Sequence, residues 1–316
     1  MKIAVLCNSI EEDNFSVEFK KHMDKYYDID IIPNMKNKRT GTFGRILYEE
    51  NKFGKYDALF NLSGFAMSHW CNKERKRHKT PFVIRAYNNG RFEFLNRMYK
   101  PDQMVFLSNH HRNQICYWGK TIYDAIDLES MQTTQKSTLV QNLEPPIVLS
   151  TSKLIGSSRI ESTIEAMYRF GRGTLVQTSD GKQKDSILKK GQKLLNERFV
   201  YVGKLPKEQS VSLYNGCDIF VDASKCNSTN VNYLEAMASN LPVVTQEDPS
   251  RREVIGIAGL LGNLEDTTYF ANLLNRASRI KWGKAPSEQA KRFNWETVIK
   301  QYKKIFDDLN SESSGD

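Results

Sequence analysis

Long apolar stretches are missing from this chain of 316 residues, of which 26% are charged. The mean hydropathy is −0.57, and no run reaches the roughly 18 apolar residues of a membrane span. Cysteine is scarce too, and the five cysteines are widely spaced and form no C-x-x-C pair: Cys7, Cys71, Cys116, Cys217 and Cys226. This usage argues against a disulfide framework and against a cysteine zinc site. We expect a cytoplasmic protein without a signal peptide or a transmembrane helix.

Acidic residues are outnumbered, with 46 Lys and Arg against 37 Asp and Glu, for a net charge of +9. Nearly the whole excess falls in residues 73–120, which hold eleven basic residues and three acidic ones, with aromatic side chains interleaved. Because phosphate contacts dominate nucleic-acid affinity, this segment favours a polyanionic partner. A solvated helix end and an anionic membrane surface are alternative interpretations of the same charges.

Short apolar strands alternate with helix-patterned segments in both halves of the chain. The predicted strands are 2–6, 29–32, 58–62, 82–86 and 104–107, then 147–150, 174–177, 199–202, 219–221 and 243–244. This alternation predicts an α/β protein with parallel sheets covered by helices on both faces. A polar stretch ending at Pro145-Pro146 separates the two series. We therefore predict two Rossmann-like, doubly wound domains, 1–145 and 146–316, that face each other across an active-site cleft.

The stretch 202–245 predicts a helix that starts at the mouth of a strand. A buried strand over 218–221 leads into a polar loop over 222–230, and apolar residues at helical spacing follow from residue 231. The first turn of a helix has unpaired N–H groups and a partial positive charge, which suit a diphosphate. The residues placed to supply those groups are Ser228, Thr229 and Asn230. Glu235 follows in the same helix, where it is either a ligand for the hydroxyls of a ribose or a solvated helix residue.

The same stretch resembles the donor-binding half of the GT-B glycosyltransferases. The resemblance is carried by Val202-Gly203-Lys204, Leu213-Tyr214, Cys217-Asp218-Ile219-Phe220-Val221, Ser224 and Leu234-Glu235-Ala236-Met237-Ala238-Ser239-Asn240-Leu241-Pro242-Val243-Val244. It implies that Glu235 binds the ribose of a nucleotide sugar and that Gly203 and Lys204 approach the base. Residues 121–128 and 293–302 are similar to the end of the family's first domain and to its terminal helix, which crosses back to that domain.

Asn227 departs from many retaining members of that family, which carry a second glutamate eight residues before the one that matches Glu235. The DNA β-glucosyltransferases of phages are similar to this chain at that offset, and also at 203–206 and 235–239. This narrower resemblance implies a UDP-sugar donor and, as acceptor, a hydroxymethylated pyrimidine that is swung out of double-stranded DNA.

Lys153 and Arg159 flank one loop that follows a predicted strand, and Ser158 with Glu161 has the spacing of a capping box. Two cations at a helix start suit a pyrophosphate leaving group, whose negative charge grows as the glycosidic bond breaks. The phage enzymes have two arginines at similar spacing, and this resemblance assigns both residues to the donor phosphates. Lys153 keeps the charge but lacks the bidentate fork. Alternatively, Arg159 is a solvated residue of the first helical turn.

An inverting transfer needs a carboxylate to take the proton of the acceptor hydroxyl. Asp13, in the loop after the first strand, and Glu18, in the next helix, are the catalytic candidates, and Glu18 stands where the phage enzymes have a sugar-contacting acid. Those enzymes take their base from an aspartate after a middle strand. This chain has Arg85-Ala86-Tyr87-Asn88 there, without a carboxylate, so the identity of the base and the stereochemistry stay open.

The expected fold places the basic segment in the acceptor domain. The predicted acceptor-binding or DNA-binding residues are Arg75, Lys76, Arg77, Lys79, Asn88 and Arg91. No pattern requires a metal, because Asp28-Ile29-Asp30 lies on a predicted strand and His110-His111 has no third ligand at metal spacing. Mg or Mn is compatible with the sequence but not demanded by it.

These patterns together predict a glycosyltransferase that moves a sugar from a UDP-sugar to 5-hydroxymethylpyrimidine in phage-type DNA, in the cytoplasm of a bacterial host. Two alternatives stay open. One is an enzyme that builds a cell-surface or lipid-linked glycan, and the other is a non-catalytic module that binds a sugar nucleotide or nucleic acid.

Overall fold

Two units, each built on one parallel sheet, are seen in the computed structural model. It describes residues 1–8, 14–33, 55–63, 65–86, 98–115, 118–131, 137–225 and 231–313. The first unit comprises Met1–Tyr123 together with Trp295–Asp316, and the second comprises Asp124–Asn294.

The first sheet has the strand order β2-β1-β3-β4-β5-β6. Its strands are β1 (Lys2–Cys7), β2 (Asp28–Pro33), β3 (Ala58–Asn61), β4 (Phe82–Ala86), β5 (Gln103–Phe106) and β6 (Lys120–Thr121). The helices described between them are α1 (Asn14–Met23), α2 (Phe65–His78) and α3 (Asn109–Ile115). Strands β3 and β4 are buried along their whole length, as their nearly continuous apolar sequences predict for strands covered on both faces.

The second sheet has the order β12-β11-β10-β7-β8-β9. Its strands are β7 (Ile147–Ser150), β8 (Thr174–Thr178), β9 (Phe199–Gly203), β10 (Ile219–Asp222), β11 (Val243–Gln246) and β12 (Gly259–Gly262). Its helices are α4 (Ile160–Phe170), α5 (Lys184–Leu195), α6 (Lys207–Tyr214), α7 (Val231–Ala238), α8 (Pro249–Ile255), α9 (Thr267–Ala277) and α10 (Ala285–Ala290), after which α11 (Trp295–Ser313) returns to the first unit.

Aromatic rings join α11 to the core of the first unit. The ring centroid of Phe19 lies 5.0 Å from that of Phe60 and 5.3 Å from that of Tyr302. Phe306, one turn further along α11, lies 5.8 Å from Phe60. The apolar residues of α11 recur at helical spacing and are buried: Val298, Ile299, Tyr302, Ile305, Phe306 and Leu309. Helix α11 therefore forms part of the hydrophobic core of the first unit.

The strand order of the second sheet reverses at its centre, where β7 pairs with both β8 and β10. Strands β8 and β9 extend the sheet in one direction, whereas β10, β11 and β12 extend it in the other. In open α/β sheets, ligands bind outside the carboxyl ends of the strands at such a switch point. The fold therefore predicts that a ligand binds at the segments that follow Ser150 and Asp222.

The predicted fold class is confirmed, and all ten predicted strands are present within a residue or two of their predicted bounds. Strands β6 and β12 were not predicted, because one is a polar pair and the other is flanked by glycines. Helix α6 begins directly after Pro206, which is its N-cap residue. The prediction of a capping box at Ser158 is wrong. Residues Gly156–Ser158 form a separate 3-10 turn, so the N-cap of α4 is Arg159, which makes no capping bond.

Backbone contacts divide the chain earlier than the boundary predicted between residues 145 and 146. Ile126 N–H donates to the carbonyl of Phe293 at 2.9 Å, and Ser137 N–H donates to the carbonyl of Ser212 at 3.0 Å. These bonds attach the connecting segment to the second unit.

Candidate nucleotide-binding site

Hydrogen bonds join the two segments that leave the switch point of the second sheet. After β7, Ser152 Oγ donates to Asp222 Oδ1 at 3.1 Å, across to the end of β10. The N–H of Lys225 donates to the carbonyl of Ser157 at 2.8 Å, and Gln177 Nε2 on β8 donates to the carbonyl of Ser152 at 3.0 Å. The carboxyl ends of β8, β7 and β10 therefore share one connected rim.

A buried polar network fixes the start of the loop after β10. The Asp222 carboxylate accepts a 2.9 Å bond from Ser224 N–H and a further bond from the Tyr233 hydroxyl. Arg251, which is 1% exposed, donates to the carbonyl of Ser224 at 2.9 Å and to Thr245 Oγ1 at 3.1 Å. Because buried polar groups are costly unless they are paired, this network favours a single position of Ser224.

Glu235 lies half-buried on α7, within a small polar cluster. The Tyr214 hydroxyl at the end of α6 donates to Glu235 Oε2 at 2.9 Å, and the Thr151 hydroxyl lies against the same phenol. One turn before Glu235, Asn232 Nδ2 donates to Thr151 Oγ1 at 2.9 Å. The sequence-predicted ribose ligand is thus brought to the segment that leaves β7 at the switch point.

Burial raises the pKa of the Glu235 carboxyl, while the hydrogen bond from Tyr214 and the positive charge of Lys207 act in the opposite direction. Burial also raises the pKa of the Tyr214 phenol well above its ordinary value. The phenol therefore stays a proton donor at neutral pH. A carboxylate oriented in this way has remaining lone pairs for the two hydroxyls of a diol.

Lys153 and Lys225 occupy matching positions in the two segments of the rim. Each stands three residues after the end of its strand, β7 for Lys153 and β10 for Lys225, and both side chains are exposed. Within the described ranges, neither ammonium group is paired with a carboxylate. Sequence reasoning found Lys153 but missed Lys225, although the shared offset from adjacent strands was a usable signal.

Arg159 is held differently from the two lysines. Its backbone is left-handed, with φ of 51°, a conformation that costs a non-glycine residue about 1 kcal/mol. Its guanidinium donates to Gln246 Oε1 at 3.2 Å and to the Glu265 carboxylate. Gln246 Oε1 also accepts the N–H of Leu264 at 3.0 Å. Arg159 therefore connects the start of α4 to the last residue of β11 and to the segment that follows β12. Its assignment to the phosphates stays a prediction.

Gly203 ends β9 with φ of +70°, a left-handed conformation that glycine adopts without strain. Its carbonyl accepts the N–H of Ser179 at 3.1 Å, which joins the carboxyl ends of β9 and β8. Lys204 follows with an exposed side chain. Both residues lie at the same carboxyl edge of the sheet as Lys153.

Several predicted residues lie outside the described ranges: Asn227, Ser228, Thr229 and Asn230 in the second half, and Asp13, Asn88 and Arg91 in the first. The described part of α7 begins at Val231, directly after the predicted phosphate-binding segment. That assignment stays a prediction.

In the first unit, Glu18 lies on α1 beside two basic side chains. Its Oε2 is 3.4 Å from Lys21 Nζ and 3.7 Å from His22 Nε2. The His22 ring in turn stacks on Trp295, with the ring centroids 5.2 Å apart. The predicted catalytic acid is thus an ion-paired carboxylate of the first unit.

The basic residues 75–79 lie at the amino-terminal edge of the first sheet, because α2 runs back from the carboxyl end of β3 to the start of β4. Arg75 Nη1 donates to the carbonyl of Lys100 and lies 3.7 Å from Asp102 Oδ1, and its guanidinium covers the ring of Phe82. Phe82 is the first residue of β4. The structure therefore does not bring Arg75, Lys76, Arg77 and Lys79 to the carboxyl edge, where ligands of parallel sheets bind.

Two features are absent from the described residues, a membrane-spanning helix and a metal-binding cluster. No helix there has both the length and the apolar character of a membrane span. The same residues contain no cluster of three or more His, Cys, Asp and Glu side chains arranged to hold a metal ion.

Comparisons with known proteins agree with this geometry. Residues 145–279 match the family described as "Glycosyl transferases group 1". The chain is 26% identical over 196 residues to sulfoquinovosyl transferase SQD2 of Arabidopsis thaliana, covering 58% of this chain and 38% of that protein. It is 32% identical over 106 residues to O-antigen chain mannosyltransferase B of Escherichia coli, covering 32% of this chain and 28% of that protein. The chain thus spans well under half the length of these curated relatives.

Solved structures of similar fold cover nearly the whole chain. The sucrose-phosphate synthase of Thermosynechococcus elongatus superposes with a TM-score of 0.79 at 16% identity, over 99% of this chain and 100% of that one. HepE of Anabaena, in complex with UDP-glucose, gives 0.75 at 16% identity over 98% and 100%. The described residues therefore have the GT-B fold, and residues 145–279 match the group 1 glycosyl transferases. The predicted GT-B fold is confirmed, and the family match over residues 145–279 is consistent with the predicted glycosyltransferase class.

Proposed function

We propose that this chain binds a UDP-sugar through its second unit and transfers the sugar to an acceptor hydroxyl. The observation that carries the proposal is the Glu235 cluster. A half-buried carboxylate, oriented by Tyr214, lies beside Thr151 at the switch point of a Rossmann-like sheet. The family match over residues 145–279 and a neighbour of the same fold in complex with UDP-glucose support it.

Each part of the donor has a proposed partner in the second unit. Glu235 accepts hydrogen bonds from the ribose hydroxyls, and Gly203 with Lys204 approaches the base. The diphosphate lies near Lys153 and Lys225, whose exposed ammonium groups offset its charge. Arg159 and the amides of 228–230, as predicted from sequence, complete the phosphate contacts.

The reaction breaks the bond between the sugar's anomeric carbon and the β-phosphate oxygen and forms a bond from that carbon to the acceptor oxygen. UDP leaves with the bonding electron pair, and its growing negative charge is stabilised by the lysines. The acceptor hydroxyl gives up its proton to a carboxylate. Asp13 and Glu18 stay the candidates for that role.

The acceptor is a finer part of the proposal. One relative is named as an O-antigen chain mannosyltransferase, which supports a glycan or lipid-linked glycan as the acceptor class. The predicted resemblance to phage DNA β-glucosyltransferases and the basic excess in residues 73–120 favour a second candidate, 5-hydroxymethylpyrimidine in double-stranded DNA.

A UDP-release assay with a panel of UDP-sugars tests the proposal. We expect slow UDP release without acceptor and faster release with the correct acceptor class. The acceptors to compare are lipid-linked oligosaccharides, hydroxymethylated duplex DNA and unmodified duplex DNA. Mass analysis of the isolated acceptors identifies the product, and a hexose or pentose increment on nucleosides of the modified duplex alone selects DNA.

Absence of both UDP binding and UDP release with every sugar would overturn the proposal. If UDP binds tightly but no UDP is released with any acceptor, nor by hydrolysis of the donor without acceptor, the result favours the non-catalytic sugar-nucleotide module. Adding and chelating Mg²⁺ or Mn²⁺ in the same assay shows whether a metal contributes.

A further inference from the structure

A cluster of unbalanced positive charge lies at the amino-terminal edge of the first sheet. We call it the basic edge and define it by five exposed residues: Lys73, Lys76, Arg77, Lys79 and Lys100. Two carboxylates lie among them in the described residues, and a third, Asp57, precedes β3 at the same edge, where it accepts the N–H of Lys2 at 2.6 Å. Glu74 is buried beside His78, and Asp102 accepts the N–H of Phe82 at 2.9 Å and lies 3.7 Å from Arg75.

Backbone and side-chain contacts show that these residues share one edge. Thr80, just after α2, donates to the carbonyl of Tyr56, which precedes β3, at 3.5 Å. The carbonyl of Pro81 accepts the N–H of Leu59 at 2.9 Å. Arg75 binds the carbonyl of Lys100, which fixes the turn before β5 against the end of α2. The basic edge therefore lies at the opposite end of its sheet from the carboxyl ends of the strands.

Two large apolar side chains are exposed near the same amino-terminal edge of the sheet. Met98 is 68% exposed and Trp118 is 61% exposed, the highest values among the large apolar residues described in the first unit. Met98 precedes Lys100 by two residues. Trp118 precedes Gly119, where an added Cβ atom would lie 2.9 Å from the carbonyl oxygen of Met104, near the start of β5.

We propose that the basic edge, with Met98 and Trp118, docks the protein on an anionic lipid surface. Lysine and arginine near such a surface are attracted by the negative potential of its headgroups, and the attraction falls with added salt. Tryptophan is favoured at the boundary between headgroups and acyl chains. Transfer of the exposed Met98 and Trp118 side chains from water to that boundary is favourable. The phosphodiester backbone of a nucleic acid, the alternative partner, offers these side chains no apolar medium. Lipid therefore accounts for both the charges and the apolar pair.

This inference goes beyond the proposed reaction and depends on no residue assigned to the donor. Co-sedimentation of the full chain with vesicles of phosphatidylcholine, with and without phosphatidylglycerol, tests it across a salt series. We expect binding to the anionic vesicles only, and weaker binding as salt increases. The charge-reversed variant K76E/R77E should lower the vesicle partition coefficient by about tenfold or more, and M98S/W118S should lower it without changing the net charge.

The matched control is K189E/K193E, which makes the same charge change on exposed positions of α5 in the second unit. It should retain most of the binding, and circular dichroism should show that all variants are folded. Equal losses in K76E/R77E and K189E/K193E, or equal binding to neutral and anionic vesicles, would overturn the proposal. Binding of duplex DNA that K76E/R77E abolishes, with no vesicle binding, would replace the lipid surface with a nucleic acid.

Discussion

The Tyr214 hydroxyl donates a 2.9 Å hydrogen bond to Glu235 Oε2, joining the last residue of α6 to the middle of α7. The two residues are separated by 21 positions in sequence. Because burial raises the pKa of the phenol well above its ordinary value, the phenol keeps its proton and donates to the carboxylate at neutral pH. Tyr214 thus positions the carboxylate that we propose binds the ribose.

The first prediction concerns the pH dependence of donor binding. Burial raises the pKa of Glu235, so the carboxyl is protonated at a higher pH than an ordinary glutamate. The ionised form is the better acceptor for two hydroxyls, so affinity for UDP-glucose should fall as the pH is lowered through that raised pKa. In Tyr214→Phe, loss of the hydrogen bond that lowers the pKa should move the fall to higher pH. Calorimetric titrations at several pH values measure this.

The control for that experiment is Tyr168→Phe, which removes a phenol from an exposed position of α4. Its pH profile should match that of the unmodified protein. A profile for Tyr214→Phe that superposes on both would show that the phenol does not act on the carboxylate.

A second prediction separates the phosphate contacts from the base and ribose contacts. Lys153→Met and Lys225→Met should each weaken UDP binding by about twofold to fivefold, as expected for exposed charge pairs, and should leave uridine binding unchanged. The loss should shrink at high salt because the lysines are exposed. Lys189→Met, an exposed lysine of α5, is the control. Equal losses for UDP and uridine would place the lysines away from the phosphates.

A third prediction compares two neighbouring arginines of α8. Arg251 is buried and binds Ser224 and Thr245, whereas Arg252 pairs with Glu247 at the surface. Arg251→Met leaves the buried acceptors of Ser224 and Thr245 without their donor, so the free energy of unfolding should fall by about 3 kcal/mol. Arg252→Met should leave the urea midpoint unchanged. Similar midpoints for the two variants would contradict the role given to the buried network.

A fourth prediction tests the packing of α11 on the first unit. Phe19 contacts Phe60 and Tyr302 through its ring, so Phe19→Ala should lower the free energy of unfolding by about 3–5 kcal/mol. Val17→Ala, on the exposed side of the same helix at 43% exposure, should have little effect. Equal denaturation curves for Phe19→Ala and Val17→Ala would contradict the proposed aromatic core.

Strand positions were predictable from sequence wherever a buried strand has a continuous apolar run. The polar pair of β6 and the glycine-flanked β12 give no such signal. The placement of Glu235 in a helix after β10 was also predictable from helical spacing. Its partner Tyr214 was named only as part of the family resemblance, because a hydrogen bond across 21 residues leaves no local pattern.

Charge counts identified the basic segment but not its place in the sheet. Their position at the amino-terminal edge follows from the direction of α2, which brings Lys76 and Arg77 back toward the start of β4. The buried pairing of Asp222 with Tyr233, and its link through Ser224 to Arg251, depends on three elements, β10, α7 and α8, which no spacing rule connects.

The most direct measurement of the central claim is isothermal calorimetry of UDP with Glu235→Ala, beside Glu208→Ala as a control on an exposed residue of α6. We predict that Glu235→Ala folds normally and weakens UDP binding by about tenfold or more, while Glu208→Ala binds like the unmodified chain. UDP affinity that is unchanged in Glu235→Ala would contradict the claim that this carboxylate holds the nucleotide.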